Sequence, residues 1–210
     1  MGGILVSVNV GRVRTVERDG ENPDTAIWKS PVEGRVRVAG VQIAGDSQAD
    51  RDAHGGPDRV AYAYAAEDLG YWSEQVGRPL EPGSVGENLT TRGVDVTGAL
   101  IGERWRVGTA LFEVAQPRVP CWKLGHRMGD LSFPRRFREA GRPGAYLRLL
   151  EEGEIGAGDS IGVTAPATAS LSVAEVARIH GAERHRSGEL LALGALSADW
   201  VAWARDRATA

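Results

Sequence analysis

The feature that most constrains the fold is a series of short apolar runs, each bounded by glycine or proline. The runs carry β-branched or aromatic residues near a period of two, which is typical of half-buried strands. They cover residues 4–10, 34–43, 60–64, 100–107 and 110–115. The 210 residues include 28 glycines, nearly twice the usual share of about 7%, without a repeat period. The pattern predicts many turns between short strands.

Strands of this length without a regular helix after each favour an antiparallel barrel or sandwich over a parallel α/β sheet. Helical spacing predicts one helix from about Ala65 to Val76, ended by Gly77, and a shorter one from Pro134 to Ala140. We therefore predict a mainly β (α+β) fold, built as a closed or partly closed β-barrel with a few short helices.

The composition changes after about Thr168, where helical signals replace strand signals. Ser172 is followed three residues later by Glu175, a capping box, and Ser187 and Ser197 are predicted to cap two more helices. Helices this short need packing partners, so we expect a packing or docking unit. The predicted domains are a barrel over residues 1–168 and a three-helix appendix over residues 169–210.

Charge and hydropathy argue against several classes of function. The formal net charge of −3 provides no chain-wide basic field for binding nucleic acid. The apolar run at residues 4–10 is too short to span a membrane, and no basic leader precedes it. A single cysteine cannot form an internal disulfide, in agreement with a reducing compartment. We expect a soluble, cytoplasmic protein without nucleic acid or membrane partners.

The single cysteine, Cys121, lies in QPRVPCWKL, residues 116–124. Pro117 and Pro120 stiffen the backbone and push the preceding residues toward extended conformations, which predicts a rigid loop at a strand end. Arg118 and Lys123 favour the thiolate, the form that attacks electrophiles and binds metals. A lone cysteine is more often a buried apolar residue, but this setting predicts a reactive or metal-ligating thiol.

The chemistry of that thiol has more than one interpretation. The chain has no CxxC and no HExxH pair, which argues against zinc, and one cysteine is too few for an iron–sulfur cluster. A cysteine nucleophile with His54 or His126 as its base stays open. So does a soft metal held by one thiolate, with its other ligands brought by a cofactor.

Two further glycine-flanked loops carry polar side chains. His54 precedes Gly55-Gly56-Pro57, where exposed main-chain N–H groups can approach an anion. Asn88, in GENLTTRG, has an amide that can donate to and accept from a heterocyclic ligand. Ordinary turns use the same residue types, so a binding role and a structural role both remain open at each loop.

Taken in order, these loops resemble those of the MOSC family, named for the C-terminal domain of molybdenum cofactor sulfurases. The resemblance rests on KSPVEG, GDSQADRDAHGG, GENLTTRG and IGERWRVGTALFEVAQPRVPCWKL, and AGRPGAYLRLLEEGEIGAGD continues it. The nearer likeness is to stand-alone bacterial members of the 6-hydroxylaminopurine-resistance type, which carry a three-helix C-terminal appendix. Residues 15–28 have no close match in the family pattern.

The resemblance implies that Cys121 ligates molybdenum in the pterin-based molybdenum cofactor, molybdopterin, or carries sulfur for it. Arg118 and Lys123 would offset the charge of cofactor phosphate or thiolate groups. The implied reaction is the reduction of N-hydroxylated bases and amidoximes. Since the chain carries no flavin or cluster motif, the electrons would come from a separate reductase. The other cofactor-binding residues that the resemblance implies are His54, Arg59 and Asn88.

Two alternatives to this function remain open at this point. The protein could be a non-catalytic sulfur carrier or cofactor-binding protein that uses a Cys121 persulfide, or a cysteine hydrolase with His54 as its base. Pyridoxal phosphate is a further ligand to consider, and a homodimer is an open oligomeric state.

Overall fold

The computed structural model describes residues 2–49, 55–166 and 168–208. Its strands are β1 (Gly2–Gly11), β2 (Arg14–Thr15), β3 (Asp24–Thr25), β4 (Lys29–Pro31), β5 (Arg35–Ala39), β6 (Gln42–Ile43), β7 (Ala61–Ala65), β8 (Leu89–Arg92), β9 (Arg104–Val107), β10 (Ala110–Pro117), β11 (Ala145–Glu151), β12 (Gly153–Gly156) and β13 (Ser160–Thr164). Its α-helices are α1 (Ala66–Val76), α2 (Trp122–Met128), α3 (Phe133–Glu139), α4 (Val173–Gly181) and α5 (Ala198–Ala208), and 3-10 helices cover Pro57–Arg59 and Arg184–Ala192.

Seven strands close into a barrel in the order β13, β9, β10, β11, β7, β8, β1, with β1 returning to β13. Neighbouring strands are antiparallel except β7 and β8, which run parallel. β4 extends the edge of β1, and β12, β5 and β6 form a separate small sheet. The predicted mainly β barrel is therefore confirmed, and the predicted run at residues 34–43 is divided between β5 and β6.

Strand β7, with the sequence AYAYA, separates two apolar cores because successive side chains in a strand point to opposite faces. Its alanines belong to the core inside the barrel. Tyr62 and Tyr64 belong to a second, aromatic core outside the barrel. Helices α1 and α3 complete that second core with Trp72, Phe133 and Phe137.

The predicted ends of α1 are confirmed, since the helix covers Ala66–Val76 and Gly77 adopts a left-handed conformation with φ of 69°. The capping box of Ser172 and Glu175 is formed at the start of α4. The predicted cap at Ser187 is wrong, because this residue lies inside the 3-10 helix Arg184–Ala192. Ser197 does precede α5, but its Oγ makes no hydrogen bond within the described residues.

The C-terminal segments pack on the barrel and share its core. Buried side chains from this part of the chain lie in the same apolar cluster as the barrel interior; among them are Val176, Ile179, Leu190 and Trp200. An ion pair between Arg59 and Asp199, 2.7 Å long, links α5 to the 3-10 helix before β7. None of the helices within the described ranges is long and apolar enough to cross a membrane.

Candidate functional site

Five of the six predicted site residues line one cavity of about 100 Å³, at the outer side of β7 and β11. The five are Arg59, Asn88, Arg118, Cys121 and Lys123. The sixth, His54, lies outside the described residues. His126, the other histidine considered as a base, is exposed and does not line the cavity. The fold thus gathers three loops that are distant in the sequence.

Cys121 occupies the turn between β10 and α2 rather than an extended loop. It is the residue before the first turn of α2, with extended backbone angles (φ −118°, ψ 176°), and its carbonyl oxygen accepts a hydrogen bond of 3.0 Å from Leu124 N. The side chain is partly exposed and lines the cavity. The prolines that precede it fix the direction in which the strand ends.

Arg118 is buried, with 7% of its surface exposed, yet it must carry a charge. Its Nη1 donates to the carbonyl oxygen of Val85, and its guanidinium lies 4.8 Å from the centre of the Tyr62 ring. Burial lowers the pKa of Arg118, but the neighbouring Tyr62, Tyr146 and Cys121 outweigh burial and leave the pKa above its ordinary value. By the same interaction, this fixed cation favours the thiolate form of Cys121.

Two tyrosines on paired strands form one wall of the cavity. Tyr62 and Tyr146 lie opposite each other in the register of β7 and β11, with ring centroids 5.1 Å apart. The Tyr62 hydroxyl donates to Pro143 O at 2.8 Å. Burial raises the pKa of both phenols, so both remain neutral and contribute polar but uncharged surface.

A buried ion pair in the cavity was not predicted from the sequence. Lys29 Nζ lies 2.5 Å from Asp46 Oδ1, and both residues line the cavity. Burial lowers the pKa of Lys29, against the opposing effect of Asp46. The signal was available in the composition, because Lys29 and Lys123 are the only lysines among 25 Lys and Arg residues.

Asn88 is held by the protein itself. Its Nδ2 donates to Asp46 Oδ2 at 2.9 Å and to Asn9 O at 3.2 Å, and its Oδ1 accepts from Tyr62 N at 3.1 Å. The amide that we expected to face a heterocyclic ligand is thus engaged in joining three segments of the cavity wall. Asn88 therefore lines the cavity, but its amide forms hydrogen bonds that hold the cavity wall together.

The unmatched stretch at residues 15–28 supplies another wall. β2 and β3 form a hairpin whose tip, Asp19-Gly20, has positive φ at both residues (53° and 82°), the geometry of a tight hairpin turn. Beyond it, residues 25–27 line the cavity, and Arg18 stacks on Trp122 at 4.5 Å. The Asp-Gly pair is a hairpin signal in the sequence, from which this turn could have been predicted.

Among the described lining residues, the charged side chains are four cations and one carboxylate. They are Lys29, Arg59, Arg118, Lys123 and Asp46. Arg59 is paired outside the cavity with Asp199. The cavity therefore combines a partly exposed sulfur with an excess of positive charge, which suits an anionic ligand.

Comparison with known proteins shows the family and the fold of the chain. A family model described as the MOSC domain matches residues 50–162. The protein YflK of Bacillus subtilis is 35% identical over 201 residues, covering 94% of this chain and 91% of that protein. A protein of Gibberella moniliformis named a reductase is 33% identical over 183 residues, which are 84% of this chain but 32% of that protein. The crystal structure of YiiM from Geobacillus stearothermophilus superposes with a TM-score of 0.81 at 31% identity, covering 98% of each chain.

Proposed function

Because this chain belongs to the MOSC domain family, we propose that it binds the molybdenum cofactor and reduces N-hydroxylated compounds. The substrate class would include hydroxylaminopurines and amidoximes, and a separate reductase would supply the electrons. The relative from Gibberella moniliformis that carries the name reductase supports an oxidoreductase. The observation that carries the proposal is the shared cavity of Cys121 and four cationic side chains.

The donor set of the cavity fits a metal that arrives with most of its ligands. Within the part of the chain that the structure describes, no group of three His, Cys, Asp or Glu side chains could hold a metal ion. Cys121 would thus be the only described protein ligand, and a soft thiolate suits a soft metal. Arg118 and Lys123 would compensate the negative charge of phosphate and dithiolene groups.

When bound, the cofactor would supply the two-electron redox chemistry, as cofactors generally do. The protein would hold it and shape the pocket. Arg118, fixed by the Val85 carbonyl and the Tyr62 ring, would keep the Cys121 sulfur ionised. The neutral tyrosines and the hairpin of β2 and β3 would enclose the substrate and limit the entry of water.

The proposal is tested with protein from a host that makes the molybdenum cofactor. We expect about one molybdenum and one pterin per chain in the wild type, and reduction of benzamidoxime to benzamidine when a flavin-dependent reductase is added. Cys121→Ser should lose both the metal and the activity. Leu131→Ala, at an exposed apolar position that does not line the cavity, is the matched control and should keep both.

Equal trace amounts of molybdenum in wild type and Cys121→Ser would contradict the proposal. A persulfide on Cys121, detected by mass spectrometry in a protein that fails to reduce benzamidoxime, would instead favour the sulfur carrier.

A further inference from the structure

Lysine is rare in this chain, and both lysines lie at the candidate site. Of the 25 Lys and Arg residues, only Lys29 and Lys123 are lysines. Both are buried, with 9% and 8% of their surface exposed, and both line the same cavity. Every exposed lysine or arginine among the described residues is thus an arginine, and side-chain primary amines occur only at the candidate site.

Arginine and lysine differ in their ability to release a proton. A guanidinium stays protonated at any physiological pH, whereas an ammonium can lose its proton when burial disfavours the charge. Arginine would also pair with a carboxylate through two hydrogen bonds, so an ion pair by itself gives no reason to prefer lysine. The use of lysine in the cavity points to a requirement for the amine.

Lys29 is held in a fixed position by a carboxylate that is itself fixed. Asp46 Oδ1 accepts from Lys29 Nζ at 2.5 Å and from Gly11 N at 2.7 Å, and Asp46 Oδ2 accepts from Asn88 Nδ2 at 2.9 Å. The lysine backbone is held by pairing of β4 with β1 and is closely packed, because a Cβ at Gly83 would lie 2.6 Å from Lys29 O. The ammonium can therefore present its remaining protons only within a narrow range of directions.

The charges that face Lys29 come from three other segments of the chain. Asp46 and Glu87 favour its protonated form, while Arg118 disfavours it, and burial has the largest effect and lowers the pKa of Lys29. A general acid is most effective when its pKa lies near the working pH. The surroundings of Lys29 shift its pKa in that direction.

We propose that Lys29, held by Asp46, is the proton donor for the reduction of the N–O bond. This inference rests on the proposed function. In that reaction the N–O bond breaks, an N–H bond forms and the oxygen leaves as water, which requires two electrons from the reductase and two protons. The ammonium gives one proton to the departing oxygen and regains it from water, and the second proton comes from solvent.

The first test needs no activity. Lysine labelled with ¹³C at Cε gives only two side-chain signals in this chain, and Lys29→Arg assigns them. We expect the Lys29 signal to titrate below the ordinary lysine pKa of 10.5. A midpoint at or above 10.5 would overturn the proposal.

The second test compares wild type with Lys29→Arg, which keeps the positive charge and the partner of Asp46. We expect kcat for benzamidoxime to fall by about 10²–10⁴-fold, with the molybdenum content and the melting temperature retained. In the wild type, activity should decline as the pH rises through the Lys29 pKa, and this decline should disappear in the variant.

Asp46→Asn is the complementary variant, because it keeps the lysine but removes the charge that stabilises the ammonium. Its alkaline decline should move to lower pH. If Lys29→Arg keeps the wild-type kcat and pH profile while the wild type reduces benzamidoxime, only the role of Lys29 is refuted. If the wild type shows no molybdenum-dependent reduction, the proposed function fails and this inference fails with it.

Discussion

Removing the charge of Lys29 should lower the free energy of unfolding, because it leaves the buried carboxylate of Asp46 without its ion-pair partner. In the protein without cofactor, Lys29→Met replaces the ammonium with an apolar side chain of similar length and leaves Asp46 in place. Breaking a buried ion pair by removing one partner costs about 3–5 kcal/mol. Here Asp46 keeps its hydrogen bonds from Gly11 and Asn88, so we expect the lower end, about 3 kcal/mol.

The second substitution separates charge from packing. Lys29→Met with Asp46→Asn removes the uncompensated charge and should recover about 2 kcal/mol. The double variant should stay about 1 kcal/mol less stable than the wild type. The reason is that the NH₂ group introduced by Asp46→Asn cannot accept the hydrogen bond from Asn88. For a chain of this size, 3 kcal/mol corresponds to a fall of about 6–12 °C in melting temperature.

Urea denaturation and thermal melting of the four proteins of this cycle measure the effect. Arg35→Met is the matched control, because it breaks an ion pair of 2.8 Å with Asp159 that is partly exposed, and it should cost less than about 1 kcal/mol. A cost for Lys29→Met no larger than that for Arg35→Met, or no recovery from Asp46→Asn, would show that Asp46 is not an uncompensated buried charge in the variant.

Three further predictions concern residues that lie behind the lining of the cavity. Phe137→Ala should destabilise the protein by about 3–5 kcal/mol in urea denaturation, because this buried ring stacks on Trp72 at 5.5 Å; a loss below 1 kcal/mol would contradict it. Gly83→Ala should lower both melting temperature and molybdenum content, since φ is 87° and the added Cβ would meet Lys29 O; unchanged values of both would argue against it. Burial raises the pKa of Glu87, which means that the folded protein favours the protonated side chain. The stabilisation from this protonated form is complete below pH 4.5 and is lost as the pH rises through the folded-state pKa of Glu87. The stability difference between wild type and Glu87→Gln should therefore decrease from pH 4 to pH 7, and a constant difference would disprove this.

The barrel was predictable because its signals are local. The alternation in residues 60–64 and the run at residues 110–115 correspond to β7 and β10, and Gly77 ends α1 where expected. Helix α2 was missed because the prolines before Cys121 suggested continued extended structure, whereas they only precede the helix. The helix start predicted from Ser187 alone was wrong, because the segment around it forms the 3-10 helix Arg184–Ala192 and packs on the barrel through Leu190.

The candidate site was predictable where its residues are close in sequence. Arg118 and Lys123 flank Cys121, and all three line the cavity. The pair of Lys29 and Asp46 is 17 residues apart and joined by a chain reversal through β5 and β6, so no local pattern reveals it. The bonding of Asn88 likewise depends on partners from β1 and β7, which only the closed barrel brings together.

Alternate residues of strand β7 belong to the cavity wall and to the barrel interior, so each of these two regions can be substituted without the other. Its alanines fill the barrel, while its tyrosines face the cavity and the aromatic core. Laboratory evolution toward bulkier substrates could thus vary Tyr62 and its partner Tyr146 on β11, which line the cavity, without repacking the barrel interior. Libraries restricted to those alternate positions should retain more folded members than libraries of equal size that also randomise the inward ones.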